Sequence, residues 1–247
     1  MNSWDLWWWV ILPYLALLTF VVGHVWRWRY DQFGWTSRST QLQESRLLKW
    51  GGPLFHYGTF AAIAGHVLGI LVPESFTRWL GIPEDTYRWF SSIGGTVAAL
   101  AVIFGVVILA FRRTTVPRVR ATTSPVDWLA LILLAIVIVL GIIPTMGVNL
   151  LGAGYDYRQS VALWFRGLFA GSPDVAAISH APLIYQIHAT AAWAILAVWP
   201  FTRLVHAWSI PLWYLWRPFV VYRSRTATHP AEPGTSGRRW RRIGVRY

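Results

Sequence analysis

Long apolar runs broken by short polar segments set the pattern of this chain. A membrane-spanning helix needs roughly 20 apolar residues. Five stretches reach that length, at about 6–26, 53–72, 89–111, 126–148 and 183–205. The runs are continuous, not the short alternating segments of a membrane β-barrel. They predict an all-α integral membrane bundle of five transmembrane helices. Residues 1–225 would form this domain. Residues 226–247, rich in Pro, Gly, Thr and Arg, read as a basic, disordered tail. No basic segment precedes the first run, so it reads as a retained helix and not as a cleaved signal. Gly51-Gly52-Pro53 reads as the start of the second helix, where Pro suits a first turn. Pro200 reads as a kink in the fifth. Tyr157 to Phe169 mixes apolar and charged residues, as a helix lying on the outer interface would.

Charge orients the bundle. The net charge of +12 rests on 22 Lys and Arg. Eighteen of these fall after the first and third runs and from Arg203 onward, and four (Arg78, Arg88, Arg158 and Arg166) in the other connections. This positive-inside asymmetry predicts the N-terminus outside and the C-terminus in the cytoplasm. It explains the basic balance through topology and membrane lipid, with no nucleic acid. Several of the 18 Trp, including Trp7, Trp8, Trp9, Trp199, Trp208 and Trp213, suit aromatic belts at span ends. The chain has no cysteine. Disulfides, Cys-ligated zinc, iron–sulfur clusters and c-type haem are therefore excluded.

Four histidines lie inside the apolar runs: His56 and His66 on the second, His188 and His206 on the fifth. Ionisable groups in a span are costly and mark a pathway or a bound group. The two helices run in opposite directions, so depth pairs His66 with His188 near the outer face and His56 with His206 near the inner face. Two imidazoles per site, with no nearby carboxylate, suit bis-imidazole haem better than zinc, which wants four tight ligands. Gly58, Gly65 and Gly69 thin the second helix beside its histidines. Arg112, Arg113 and Arg203 lie at the inner depth, either as propionate donors or as ordinary positive-inside residues. The spacing is uneven. At 1.5 Å per residue, His56 and His66 are about 15 Å apart along the axis, and His188 and His206 about 27 Å. His24 reads as a hydrogen-bonding residue between helices, His180 as a solvated loop residue and His229 as idle.

The segments Leu54 to Pro73, Arg118 to Thr123 and Pro200 to Leu215 resemble the gamma subunit of membrane-bound respiratory nitrate reductase. The resemblance covers roughly residues 5–225. It implies a diheme cytochrome b whose two b haems are held by His56 with His206 and by His66 with His188. It also implies quinol oxidation near the outer haem, with electrons passing to an iron–sulfur beta subunit and a molybdenum catalytic alpha subunit. Gly65 and His66 would contact quinol. A lysine usual in the family's quinol site is Thr86 here, and Arg88, two residues on, would supply the donor. Membrane cytochromes of formate dehydrogenase, hydrogenase or sulfur-metabolism complexes are the nearest alternative. A histidine-relay proton or metal transporter predicts more polar spans than these. A structural anchor leaves the four histidines unexplained.

Overall fold

The computed structural model describes residues 2–36, 39–209 and 216. The expected tail, 226–247, and Trp213 lie outside the described residues. Residues Met1–Ile210 form one compact unit, to which everything below refers.

Among the described residues, five helices are long and apolar enough to cross a membrane. They are α1 (Ser3–Tyr30), α2 (Arg46–Leu71), α4 (Glu84–Thr115), α6 (Pro125–Leu150) and α9 (Leu183–Val198). The last continues through a 3₁₀ turn, so that its span is Leu183–Phe201. Short helices connect them: α3 (Glu74–Trp79), α5 (Pro117–Ala121), α7 (Val161–Ala170) and α8 (Val175–Ser179). Many large apolar side chains on the spans face outward, among them Leu18, Val22, Phe60, Val97, Val107, Ile132 and Val139. Lipid is the solvent that makes such exposure favourable, and the protein is a multi-pass membrane protein.

Neighbouring spans alternate in direction. One end of the bundle collects Arg27, Arg112, Arg203 and the start of α6, and is called here the arginine-rich end. At the opposite end three spans widen into π-helix: Trp7–Ile11 in α1, Val67–Leu71 in α2 and Ile143–Leu150 in α6. Such widening frequently marks functional regions.

The second span starts earlier than Gly51-Gly52-Pro53. It begins at Arg46, and Pro53 lies inside the helix. Glu44 explains this, because its Oε1 accepts the Leu47 N–H at 2.7 Å and satisfies one of the donors left open at a helix start. α2 lies tightly against α4. A Cβ at Gly105 would come within 2.5 Å of the Phe55 nitrogen, and one at Gly58 within 2.9 Å of the Val102 nitrogen. Small residues at such points let two backbones touch.

The stretch Tyr157 to Phe169 packs one face against the bundle and leaves Leu163 and Phe169 exposed on the other. A 3₁₀ turn, Tyr157–Gln159, leads into α7, whose Val161, Ala162, Trp164 and Leu168 are buried. Val161, Trp164 and Leu168 join Trp9 and Ala16 of α1, Val175 and Ile178 of α8, and Tyr185 and Trp193 of α9 in one core. The Trp164 indole donates to the Trp9 carbonyl at 2.8 Å. That satisfied donor is what allows a Trp to be fully buried.

The fifth span is broken, not merely kinked. Its α-helix ends at Val198, the 3₁₀ turn Trp199–Phe201 follows, and Thr202 is extended (φ −111°, ψ 178°). A separate 3₁₀ turn, Arg203–Ala207, then carries His206. Pro200 lacks the N–H that would continue the helix. The Thr202 hydroxyl accepts from Leu204 N at 3.1 Å and starts the new turn.

Candidate functional site

The four intramembrane histidines meet in two pairs. The rings of His56 and His206 lie with centroids 6.0 Å apart and planes at 69°. Those of His66 and His188 are also 6.0 Å apart, at 36°. These are the two combinations that depth predicts. The break at Thr202 resolves the uneven spacing. A continuous helix would carry His206 about 27 Å from His188, but the turn holds it level with His56.

Each ring is aimed by its own surroundings. Nδ1 of His56 donates to the Gly52 carbonyl, and Nδ1 of His66 to that of Ala62, both at 2.7 Å. Nδ1 of His206 donates to the Arg203 carbonyl at 2.5 Å. Such bonds fix the tautomer and leave Nε2 as the lone-pair donor. His188 packs on α6, where a Cβ at Gly141 would come within 2.9 Å of its Cε1.

This arrangement fits haem on its geometry. A metal–imidazole bond of about 2.0–2.1 Å on each side puts two axial ring centroids roughly 6 Å apart. Among the described residues no three His, Cys, Asp or Glu gather as a metal cluster. A metal held at either pair would have to bring its remaining ligands with it. At Gly65, beside His66, a Cβ would meet no atom within 4 Å, which leaves room for a flat ring or a quinol head.

At the arginine-rich end a set of buried charges frames the His56–His206 pair. Arg27 donates to the carbonyls of Pro200 (2.9 Å), Thr202 (3.4 Å) and Gly34 (2.7 Å) and pairs with Asp31 at 3.1 Å. It thereby caps the broken end of the fifth span. Asp127 forms a capping box with Ser124 at the start of α6. Its other oxygen meets Arg203 Nε at 2.6 Å. Arg203 also donates to the Thr122 carbonyl at 2.9 Å. Asp127 was not singled out from sequence; the Ser124-Pro-Val-Asp127 spacing is its signal.

Arg112 has a different task from the propionate role considered above. It is 3% exposed, and its guanidinium donates to Glu44 Oε2 (2.6 Å), the Glu44 carbonyl (2.6 Å), Thr40 Oγ1 (2.8 Å) and the Thr40 carbonyl (2.9 Å). Those bonds commit it to pinning the loop before α2. Burial alone would raise the Glu44 carboxyl, but the Leu47 N–H and Arg112 outweigh it and hold the group below the ordinary carboxylate value. Arg113 donates to Thr123 Oγ1 at 3.2 Å. His24 bonds the Phe20 carbonyl at 2.7 Å within its own helix and sits among Phe20, Trp35 and Trp208. His180 bonds the Ala176 carbonyl at 2.7 Å. His229 lies outside the described residues.

At the opposite end Arg88 lines a cavity of about 190 Å³ between the start of α4 and the loop of Gly154. Glu84, Asp85, Tyr87, Asp156, Tyr157 and Arg158 also line it. Arg158 is 2% exposed, bonds Glu84 Oε2 at 3.2 Å and Thr77 Oγ1 at 2.9 Å, and lies 4.0 Å over the Tyr87 ring. Sequence reasoning counted Arg158 only as a stray outer charge and missed Tyr87.

Fold and site together define a five-span helical membrane protein with two histidine pairs held at two levels of its bundle. The chain belongs to the nitrate reductase gamma subunit family, whose pattern it matches over residues 5–225. It is 42% identical over 218 residues to the nitrate reductase gamma chain of Bacillus subtilis (strain 168), covering 88% of this chain and 97% of that one. It is 33% identical over 222 residues to the respiratory nitrate reductase 1 gamma chain of Escherichia coli (strain K12), covering 87% and 95%. The nitrate reductase-like protein NarX of Mycobacterium tuberculosis (strain ATCC 25618 / H37Rv) shares 42% identity over 218 residues, 88% of this chain. The chain spans about a third of the length of NarX (33%).

Proposed function

We propose that this chain is the membrane cytochrome b of a respiratory nitrate reductase, oxidising quinol near the outer face and sending electrons inward. The observation that carries the reading is the pair of 6.0 Å imidazole–imidazole contacts at two levels of the bundle. It is supported by membership of the nitrate reductase gamma subunit family. The positive-inside charge pattern puts the N-terminus outside and the arginine-rich end in the cytoplasm.

His66 and His188 would hold the outer b haem, and His56 and His206 the inner one; the Nδ1 bonds of His56, His66 and His206 leave Nε2 free for this. The two haems, when bound, carry electrons one at a time across the apolar interior. Two imidazoles for each haem would suit electron transfer. Gly65 gives quinol access to the edge of the His66 site, and Arg88, two residues after the Thr86 that replaces the family's lysine, supplies the donor. Protons leave on the outer side as electrons move inward, so the step is electrogenic, at about 2.3 kcal/mol per charge per 100 mV. The acceptor chain is an iron–sulfur beta subunit and a molybdenum alpha subunit docked at the cytoplasmic end. Nitrate never meets this chain.

The test is a dithionite-reduced spectrum of the purified chain with an iron assay. A b-type α-band with two haems per chain supports the reading. Protein that folds without haem sinks it.

A further inference from the structure

Tyr157 stands between the face of α2 that carries Gly65 and the acid-lined cavity. Its hydroxyl lies so close to Gly69 that a Cβ there would be 2.6 Å from it. Gly69 follows Gly65 by four residues, about one helical turn, so both lie on nearly the same face. On its other side the Tyr157 hydroxyl is 3.4 Å from that of Tyr87. Both tyrosines line the cavity that Glu84, Asp85 and Asp156 also line. The Tyr157 ring stacks on Tyr185 (6.4 Å, 23°), one turn before His188. Arg158, 4.0 Å over the Tyr87 ring, keeps that ring in place. The partition between the His66 level and the cavity thus carries a hydroxyl on each side.

We propose that Tyr157 and Tyr87 form a two-hydroxyl relay that carries protons from quinol oxidised beside His66 to the acid-lined cavity. The relay rests on the quinol-oxidising reading above. Burial pushes the Tyr157 phenol well above the ordinary tyrosine value, and its bond to Tyr87 adds to the shift. The phenol therefore stays neutral and passes a proton only by accepting one as it gives up its own. As quinol beside His66 is oxidised, each hydroxyl proton it releases goes to the Tyr157 oxygen. The Tyr157 proton moves to the Tyr87 oxygen, and the Tyr87 proton to water or a carboxylate in the cavity. Both hydroxyls then rotate back. Two passes per quinol leave the relay unchanged and the quinone two protons lighter. Exit beside Glu84, Asp85 and Asp156 gives each proton a carboxylate to receive it.

The test uses the assembled complex with Tyr157→Phe or Tyr87→Phe, which keep the ring stacking on Tyr185 and the ring under Arg158. A short-chain naphthoquinol analogue is the donor, and haem reduction is followed in H₂O and D₂O. Dithionite spectra should match wild type, showing that both haems are in place. Haem reduction by the quinol should fall about tenfold in either variant, with a larger solvent isotope effect. Tyr155→Phe, in the same cavity but bonded to Ser160 (2.9 Å), should behave as wild type. Failure of the naphthoquinol to reduce wild-type haems would overturn the parent reading, whatever the tyrosines do. Wild-type rates and isotope effects in both phenylalanine variants would overturn the relay alone. A slower rate with an unchanged isotope effect would also overturn it, in favour of simple packing.

Discussion

At the arginine-rich end His206 rides on a five-residue turn after a chain break, and distant residues hold that turn. Arg27 of α1 caps the carbonyls of Pro200 and Thr202, and Asp127 of α6 holds Arg203. At the opposite end His188 sits mid-helix and is positioned by its own helix and by close packing on Gly141. His206 is held by buried charged side chains from other helices, His188 by helix geometry and shape. A ligand outside regular structure needs tertiary bonds to point it, and breaking them should affect that pair alone.

The largest effects should come from the ligands themselves. His206→Ala and His188→Ala should each remove about half of the reduced b-type absorbance, at different midpoint potentials, as read by redox-titrated spectroscopy. Loss of all haem from either one would break the comparison, because the ends would then not be independent.

Arg112→Leu comes next. It deprives Glu44 and Thr40 of four hydrogen bonds and leaves a carboxylate without its partner. Removing one member of a buried pair costs about 3–5 kcal/mol, read as a fall in melting temperature in detergent. Arg27→Met leaves two carbonyls at the end of the fifth span without a donor, at about 1–3 kcal/mol. Its sharper signature is a shifted midpoint potential for the His56–His206 haem with the other unchanged. Gly141→Ala is the mirror test. Its Cβ, 2.9 Å from His188 Cε1, should cost about 1–3 kcal/mol in overpacking and perturb only the His66–His188 haem.

The smallest effect is with pH. Glu44 is held below its ordinary value of 4.5. A carboxyl depressed in the folded state stabilises it fully above the unfolded value and loses that contribution as pH falls. Wild-type melting should therefore drop on going from pH 6 to below 4.5, and Glu44→Gln should flatten that drop. A parallel drop in both would assign the acid sensitivity elsewhere.

Much of this layout was legible in the sequence. Hydropathy alone marked the five spans, because lipid leaves helices no freedom to expose polar backbone. The direction of the spans put the right histidines at the same level. What escaped depends on partners far along the chain. Pro53 reads as a helix start, yet Glu44 and Arg112 support an earlier one. Tyr157 to Phe169 reads as interfacial, yet Trp164 finds the carbonyl of Trp9 and turns inward. Arg112 reads as either a propionate donor or an ordinary positive-inside residue, and only the fold shows its bonds to Glu44 and Thr40. The uneven count of 10 residues against 18 was a sequence-level sign of the break at Thr202, since two straight helices could not satisfy both pairs.

That break also separates two lengths that a straight helix would tie together. Leu183–Phe201 is 19 residues, about 28 Å of helix, close to a hydrocarbon thickness of about 30 Å. Continued to His206, the same helix would measure about 36 Å and overshoot the hydrocarbon core of about 30 Å. Because the ligand turn is moored to α1 and α6, a thicker or thinner membrane can be met by tilting α9 without drawing His206 away from His56. Hydrophobic matching and ligand spacing are thereby set by different parts of one chain.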